Sequence, residues 1–270
     1  MAGVSTESLK NVEQVLAANV ADHPEHLAEE LFAVVDLLDT NGGLRRGLTD
    51  PSRTADARDG ITRSILRGKI SESTLNVVSA AASARWSEER DLADALERLA
   101  VEATAYAAEQ SGGAEQVETI INELLTFVNS VNGSAEAQSA LSDARASQDA
   151  KEKLGLVMAG HPQTSQGELL VKRASVTPRG TTAALLAEKF LETIVARQNR
   201  SIAHIETARP LTEAQIEKLR LGLSKVYNRE LKLDISVDPS LVGGLRVQVG
   251  DEIVDGTVQT RLAELNRSIS

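Results

Sequence analysis

Residues 231–258 read Leu-Lys-Leu-Asp-Ile-Ser-Val-Asp-Pro-Ser-Leu-Val-Gly-Gly-Leu-Arg-Val-Gln-Val-Gly-Asp-Glu-Ile-Val-Asp-Gly-Thr-Val. Two runs in this stretch alternate strictly. Leu231, Leu233, Ile235 and Val237 share one face, with Lys232, Asp234 and Ser236 on the other. Leu245, Val247 and Val249 repeat the pattern around Arg246 and Gln248. A period of two marks a half-buried strand, because successive side chains leave the pleated backbone on opposite faces. Asp238-Pro239 and Gly243-Gly244 punctuate the runs as turns, and Gly250-Asp251 closes the second. A short third strand is expected at about 253–254. Asp255-Gly256-Thr257 then hands over to a last helix, with Val258, Leu262, Leu265 and Ile269 at helical spacing.

Working upstream, Ile202, His204 and Glu206 alternate with Ala203, Ile205 and Thr207 in another short strand that Pro210 terminates. Thr212 and Gln215 have the spacing of a capping box. Ile216, Leu219, Leu223 and Val226 are expected to form the apolar stripe of the helix that follows. Strand, helix, three strands and helix make a small α+β layer.

The order Val237-Asp238-Pro239-Ser240-Leu241-Val242-Gly243-Gly244-Leu245-Arg246-Val247, then Gly250-Asp251, then Asp255-Gly256-Thr257-Val258, resembles the signature of the delta subunit of the F-type ATP synthase. The mitochondrial relative of that subunit is the oligomycin-sensitivity-conferring protein. Thr207-Ala208-Arg209-Pro210-Leu211-Thr212 is similar to the family as well. The direct resemblance covers about the last quarter of the chain. A long ordered pattern of this kind is specific, although an unrelated small α/β domain with a Gly-Gly hairpin shares its parts.

The 270 residues suffice for two or three domains. Aromatic residues make up only 2%, and helix formers dominate up to residue 200. The net charge of −10 argues against nucleic acid, which needs a basic footprint, and against direct contact with an anionic lipid surface. No cysteine is present, so no disulfide framework or thiolate chemistry is available. No apolar run reaches the length of a membrane span, and residues 1–10 lack the apolar core of a signal peptide. The expectation is a soluble, cytoplasmic chain without membrane insertion of its own.

The helical part contains a repeat. Glu30-Leu31 recurs 93 residues on as Glu123-Leu124, and Leu48-Thr49-Asp50 recurs at the same distance as Leu141-Ser142-Asp143. The offset also maps Ala57-Arg58 onto Ala150-Lys151, Ile61 onto Leu154, Ile65 onto Met158 and Val77-Val78 onto Leu170-Val171. A constant offset through a loop is hard to reach by chance, so the match over about 30–78 reads as duplication. In the first copy Leu27, Leu31, Val34, Val35 and Leu38 fall on one helical face, and Asn41-Gly42-Gly43 is expected to end that helix with glycine in the left-handed position. Asp50-Pro51 breaks the chain before a helix over 54–66 that Gly68 stops. A small-residue helix covers 71–84. Ser87 opens a longer one, striped by Leu92, Leu96, Leu99 and Ala103 and ended by Ser111-Gly112-Gly113. The second helix of the second copy carries Val117, Ile120, Ile121, Leu124, Leu125 and Val128. The reading is a mainly α chain with a small α+β domain: a helical bundle over 1–110, a second over 111–200 whose first helix is shared from about 88, and a C-terminal domain over 201–270.

No catalytic set is legible. His23 and His26 lack partners at metal-ligand spacing, and Pro24 between them places them in a loop or first helical turn. His161 precedes a proline in a loop, and His204 is a strand residue. Residues 60–69 superficially resemble a phosphate loop, but no Ser or Thr follows Lys69, so a helix running into a glycine cap is the better reading. Asp238 and Asp251 would repel a phosphate at Gly243-Gly244. Trp86 reads as a packing residue. No cofactor is expected.

The resemblance implies a non-catalytic stator component. In the family one six-helix bundle sits on the catalytic head and holds an N-terminal helix of an alpha subunit, while the C-terminal domain joins the b-type peripheral stalk. The complex would hold this chain at the cytoplasmic face of the cell membrane. The second copy stands where the family's bundle belongs, so the first is an addition, similar to enlarged actinobacterial forms. The family's groove between the first and fifth helices implies Val12, Val15, Leu16, Leu75 and Val78 in the first copy, and Leu99, Ala103, Ala107, Leu169 and Val171 in the second. Two bundles would then hold two alpha-subunit helices. Two other readings stay open: a helical adaptor unrelated to ATP synthase, and an enzyme with a phosphate site at the Gly-Gly turn.

Overall fold

Helical spacing up to residue 200 and alternation beyond it are realised, among the described residues, as eleven helices and four strands in the computed structural model. It describes residues 3–176, 179–200, 202–227, 231–238, 241, 243–249 and 252–255. The chain divides into two units, 1–194 and 195–270.

The first unit holds α1 (Gly3–Asn19), α2 (Pro24–Thr40), α3 (Gly42–Thr49), α4 (Ala55–Leu66), α5 (Glu72–Ser83), α6 (Asp91–Asn132), α7 (Ala135–Ser142), α8 (Gln148–Met158) and α9 (Ser165–Val176), and most of α10 (Ala183–Arg200). The duplication is visible as structure. Helices α3 and α7, and likewise α5 and α9, begin and end 93 residues apart. Their loops repeat bond for bond. Ser52 N donates to Asp50 Oδ1 at 2.9 Å, and Arg145 N donates to Asp143 Oδ1 at 2.9 Å. Thr54 caps α4 by accepting from Ala57 N at 3.2 Å, and Ser147 caps α8 by accepting from Ala150 N at 3.2 Å. Each cap satisfies an amide that the first helical turn leaves without a partner.

One helix serves both copies. Residues 91–111 of α6 follow α5 as the sixth helix of the first copy and precede its second half as the first helix of the second. Gly112 (φ −147°, ψ 15°) and Gly113 (φ 66°, ψ −155°) break the helical path between the halves. A positive φ suits glycine, which has no Cβ to clash. Leu92, Leu96 and Leu99 are wholly buried, and one apolar core runs from Leu9 to Ile194.

Several local expectations change. Gly42 and Gly43 do not take left-handed φ; they open α3, a helix the sequence reading did not assign. Asn41 makes this turn: its amide donates to Leu37 O and its carbonyl accepts from Arg45 N, both at 3.0 Å, so it ends one helix and starts the next. The long helix starts at Asp91 rather than Ser87. Before it, Ser5 Oγ accepts from Ser87 N, and Asp91 Oδ2 accepts from Glu88 N at 3.2 Å, holding 87–90 in a turn. Gly68 (φ 75°) does stop α4. Trp86 packs on the core and donates from Nε1 to Ala81 O at 2.8 Å, in the loop before α6.

In the second unit, β1 (Ile202–Thr207), β2 (Lys232–Val237), β3 (Leu245–Val249) and β4 (Glu252–Asp255) form one sheet in the order β2-β1-β3-β4. β1 pairs parallel to β2 and antiparallel to β3, with Ile205 opposite both Ile235 and Val247. The connection from β1 to β2 is α11 (Glu213–Tyr227), as a parallel pair requires a crossover. Its capping box is present: Gln215 Oε1 accepts from Thr212 N at 2.9 Å, and Thr212 Oγ1 accepts from Gln215 N at 3.4 Å. The core comprises Ala203, Ile205, Leu231, Val247 and Val249, with Leu219, Leu223 and Tyr227 of α11 against it. Val226 is 76% exposed, not part of the stripe; the face against the sheet centres on Leu223 between Leu219 and Tyr227, and Val226 lies about 60° to one side of that centre. Val237 is also exposed, at the end of the edge strand. The expected helix with Val258, Leu262, Leu265 and Ile269 lies outside the described residues.

Candidate functional site

Each copy joins its second helix to the start of its fifth through a carboxylate, half-buried at Glu30 and buried at Glu123. Glu30 accepts from Ser71 N at 2.9 Å and Ser71 Oγ at 2.6 Å, and Thr74 Oγ1 also donates to it. Glu123, 93 residues on, accepts from Gln163 N at 2.6 Å and Thr164 N at 3.1 Å, and Thr164 Oγ1 donates to it as well. A carboxylate at a helix N-terminus meets unpaired amides and the positive end of the helix dipole. Burial works to raise the Glu30 carboxyl, but the hydrogen bonds from Ser71 and Thr74 outweigh it and hold the group below its ordinary value. Where the first copy has Thr74 the second has Gly167, and the Glu123 carboxylate fills the space a Cβ would need.

The groove residues implied by the resemblance fall on α1 and α5 in the first copy and on α6 and α9 in the second. In α1 and α5, Val12, Leu16, Leu75 and Val78 are buried and Val15 is half-buried. In α6 and α9, Leu99, Ala103, Ala107 and Val171 are buried and Leu169 is half-buried. The structure thus brings each set together, chiefly inside the core.

A charged layer ties the copies to one another. Arg173 of α9 forms a two-bond pair with Asp36 of α2, at 2.7 and 2.9 Å, and its guanidinium lies 4.7 Å from the centre of the Phe32 ring. Gln166 of α9 donates to Glu25 of α2 at 2.9 Å. Arg179, just before α10, reaches Asp39 at 3.0 Å, Asp94 at 3.5 Å and Glu97. Burial pushes the Glu97 carboxyl up to about 7 despite Arg179 and Arg173. Burial wins because one guanidinium serves three carboxylates, and because Glu97 Oε1 has no hydrogen-bond donor among the described residues. Asp94 is raised for the same reason. Sequence reasoning missed this layer. A lone arginine in a loop reads as solvated, and Glu30 and Glu123 stood out in the sequence only as matched repeat positions, not as carboxylates capping a helix.

At the turn of the sheet unit, Asp238 N donates to Thr207 O at 2.9 Å and Asp238 O accepts from Leu241 N at 3.2 Å. Gly244 sits at φ 86°, so it needs to be glycine. Glu206 and Arg246 pair across β1 and β3 at 3.0 Å. Pro239, Gly250, Asp251 and Gly256 lie outside the described residues. His23 precedes α2 with Pro24 in its first turn, and His26 pairs with Glu30 at 3.1 Å. Among the described residues no group of three or more His, Cys, Asp or Glu is placed to hold a metal ion, and no helix is long and apolar enough to cross a membrane.

The fold and these faces define a class: a two-copy helical scaffold carrying a small mixed sheet. The model of the ATP synthase delta (OSCP) subunit family matches residues 101–269, which begins inside the shared helix and leaves the first copy outside. Three proteins described as ATP synthase subunit delta show how far the similarity extends. The protein of Pseudarthrobacter chlorophenolicus is 41% identical, with all of both chains covered. That of Renibacterium salmoninarum is 42% identical, again over all of both chains. That of Kocuria rhizophila is 44% identical over 90% of each. A chain in the Toxoplasma gondii mitochondrial ATP synthase hexamer is 15% identical, with a TM-score of 0.31 over 63% of this chain and 96% of that one. The chain belongs to the ATP synthase delta (OSCP) subunit family, in the enlarged actinobacterial form with a duplicated bundle.

Proposed function

We infer that the chain is the non-catalytic stator subunit that links the catalytic head of a proton-translocating F-type ATP synthase to its peripheral stalk. The family match across the second copy and the sheet unit carries this reading. A helical adaptor unrelated to ATP synthase does not account for that match. In this role the helical unit binds an N-terminal helix of an alpha subunit, and the sheet unit binds the b-type stalk subunits. The complex keeps the chain at the cytoplasmic face of the cell membrane without insertion of its own. The joint resists rotor torque, so that proton flow drives ATP synthesis rather than rotation of the head.

Holding a helix requires shape and apolar surface, not reactive groups. Of the ten groove positions, Val15 and Leu169 meet solvent in part, and the eight buried ones form the floor beneath a docked helix. The test is coupling in inverted membrane vesicles stripped of this chain. ATP hydrolysis by the head should continue while ATP-driven proton pumping is lost, and the purified chain should restore pumping. Undiminished pumping without it would contradict a stator role.

A further inference from the structure

The two copies carry charge unequally. Residues 42–69 of the first copy hold seven arginines or lysines against three aspartates, a net +4. The whole chain is −10, so the other residues together are −14. Residues 135–162, the equivalent stretch of the second copy, hold three basic residues against four acidic ones, a net −1. Both stretches build corresponding helices, α3 with α7 and α4 with α8, so the fold does not require the difference.

Part of the excess gathers at a cleft of about 560 Å³ formed by α3, the loop after it and the loop after α5. Gly43, Arg46, Gly47 and Asp50 follow at helical spacing along one wall, and Arg53 and Trp86 also line it. A Cβ on either glycine would meet nothing within 4 Å, so a backbone can approach that wall. The two carboxylates of the cleft are already engaged. Asp50 accepts from Ser52 N at 2.9 Å and Ser52 Oγ at 2.7 Å, and Glu89 accepts from Arg45 Nε at 2.9 Å. Arg46 and Arg85 are exposed, and neither guanidinium has a hydrogen-bond or ion-pair partner among the described residues. Arg58, which donates to Asp50 O at 3.3 Å and Ser83 O at 2.7 Å, is 4% exposed and leaves Nε unbonded. Burial holds its guanidinium below the usual arginine range, and the nearby Arg85 adds to that. Positive charge here exceeds what the chain itself neutralises. In the second copy the positions of Gly43, Arg46, Gly47 and Arg53 are taken by Glu136, Ser139, Ala140 and Ala146. Both lining guanidiniums are gone there, and a carboxylate replaces the first glycine.

We propose that this cleft of the first copy binds an acidic peptide segment of a partner protein, with carboxylates on Arg46 and Arg53 and an apolar side chain against Trp86. The indole suits that contact, because its Nε1–H is already donated to Ala81 O at 2.8 Å and its carbons remain for packing. A small dianion fits less well. The loop amides are spent, Ser52 N on Asp50 Oδ1 and Arg53 N on Asp50 O at 3.2 Å, and the wall ends at the carbonyl end of α3. An anionic lipid surface would meet the −14 of the remaining chain. The assignment does not rest on the stator reading, and it gives the first copy a role that the second cannot share.

Trp86 is the one tryptophan of the chain, so its fluorescence reports on this cleft in the full-length protein. The probe is a short synthetic peptide alternating glutamate and leucine. Titration should shift the emission and saturate at one peptide per chain, and added salt should weaken the binding. Arg46→Glu combined with Arg53→Glu should weaken it about tenfold. Arg67→Glu combined with Lys69→Glu, exposed beyond the other end of α4, should leave it unchanged. Thermal unfolding checks that both variants fold; Arg46→Gln with Arg53→Gln, which sets no like charge beside Asp50, should weaken binding in the same direction. An emission that does not move with the peptide, equal weakening by the two reversal variants, or the same shift from inorganic phosphate or from phosphatidylglycerol vesicles overturns the acidic-peptide assignment.

Discussion

At the scale of single residues, the energetics concentrate where a polar group is buried. Glu97 is the clearest case. Below about pH 4.5 its carboxyl is protonated in both the folded and unfolded chain and adds no slope. Between 4.5 and about 7 the folded chain keeps a proton that the unfolded chain releases. Its contribution to stability therefore falls as pH rises through that window and levels off above it. The full change is on the order of 3 kcal/mol, at 1.36 kcal/mol per unit. Asp94 acts in the same sense. Glu30 acts in the opposite one, its stabilisation being lost as pH falls through its lowered value. Urea unfolding across this range should show a slope that Glu97→Gln flattens; an unchanged slope would contradict the assignment. Removing the counter-ion is harsher. Arg179→Ala leaves buried carboxylates without their cation and should cost about 3 kcal/mol in the same assay. Gly167 tests the packing of the second cap. Alanine normally favours a helix over glycine by about 1 kcal/mol, and Gly60→Ala, with open space around it, should gain that in thermal unfolding. Gly167→Ala should instead lose about 2 kcal/mol, because its Cβ would lie 1.8 Å from Glu123 Oε2 and 2.7 Å from Thr164 Oγ1.

At the scale of elements, the contact between α2 and α9 holds the copies together by side chains. The Arg173–Asp36 pair is partly exposed, Asp36 by 48% of its side chain, so a double-mutant cycle should give a coupling of about 1 kcal/mol. Arg173→Ala should cost more than Asp36→Ala, because it also removes the stacking on Phe32. Equal losses would show that the ring contact contributes nothing. What was legible at this scale follows from periodicity. Strands β1 to β3 announced themselves by alternation, α4 by the Asp50-Pro51 break before it and Gly68 after it, α5 by its small apolar side, and α11 by its capping box. What was not legible followed from residues with two roles. Gly42-Gly43 can end a helix or begin one, and only Asn41, bonded in both directions, decides it. On α11, Val226 and Tyr227 compete for one face, and a spacing count without the sheet beneath cannot choose. Groove and core positions look alike for the same reason: both are apolar at helical spacing.

At the scale of the molecule, the shared helix makes the two copies one body. A constant offset of 93 through a loop revealed the duplication, and an apolar stripe gave only half of the shared helix. Its burial on every side depends on tertiary contacts that no stripe encodes. Residues 1–200 should therefore unfold in one calorimetric transition, whereas residues 1–110 alone would expose surface of α6 that the second copy covers and should fold poorly. Two separated transitions in 1–200 would contradict a common core. The role of the whole chain is tested most directly by sedimentation with the catalytic head of its own ATP synthase, with and without residues 201–270. The chain should co-sediment at one per head, and truncation should spare that binding while abolishing attachment to the stalk. Failure of both forms to bind the head would contradict the stator account.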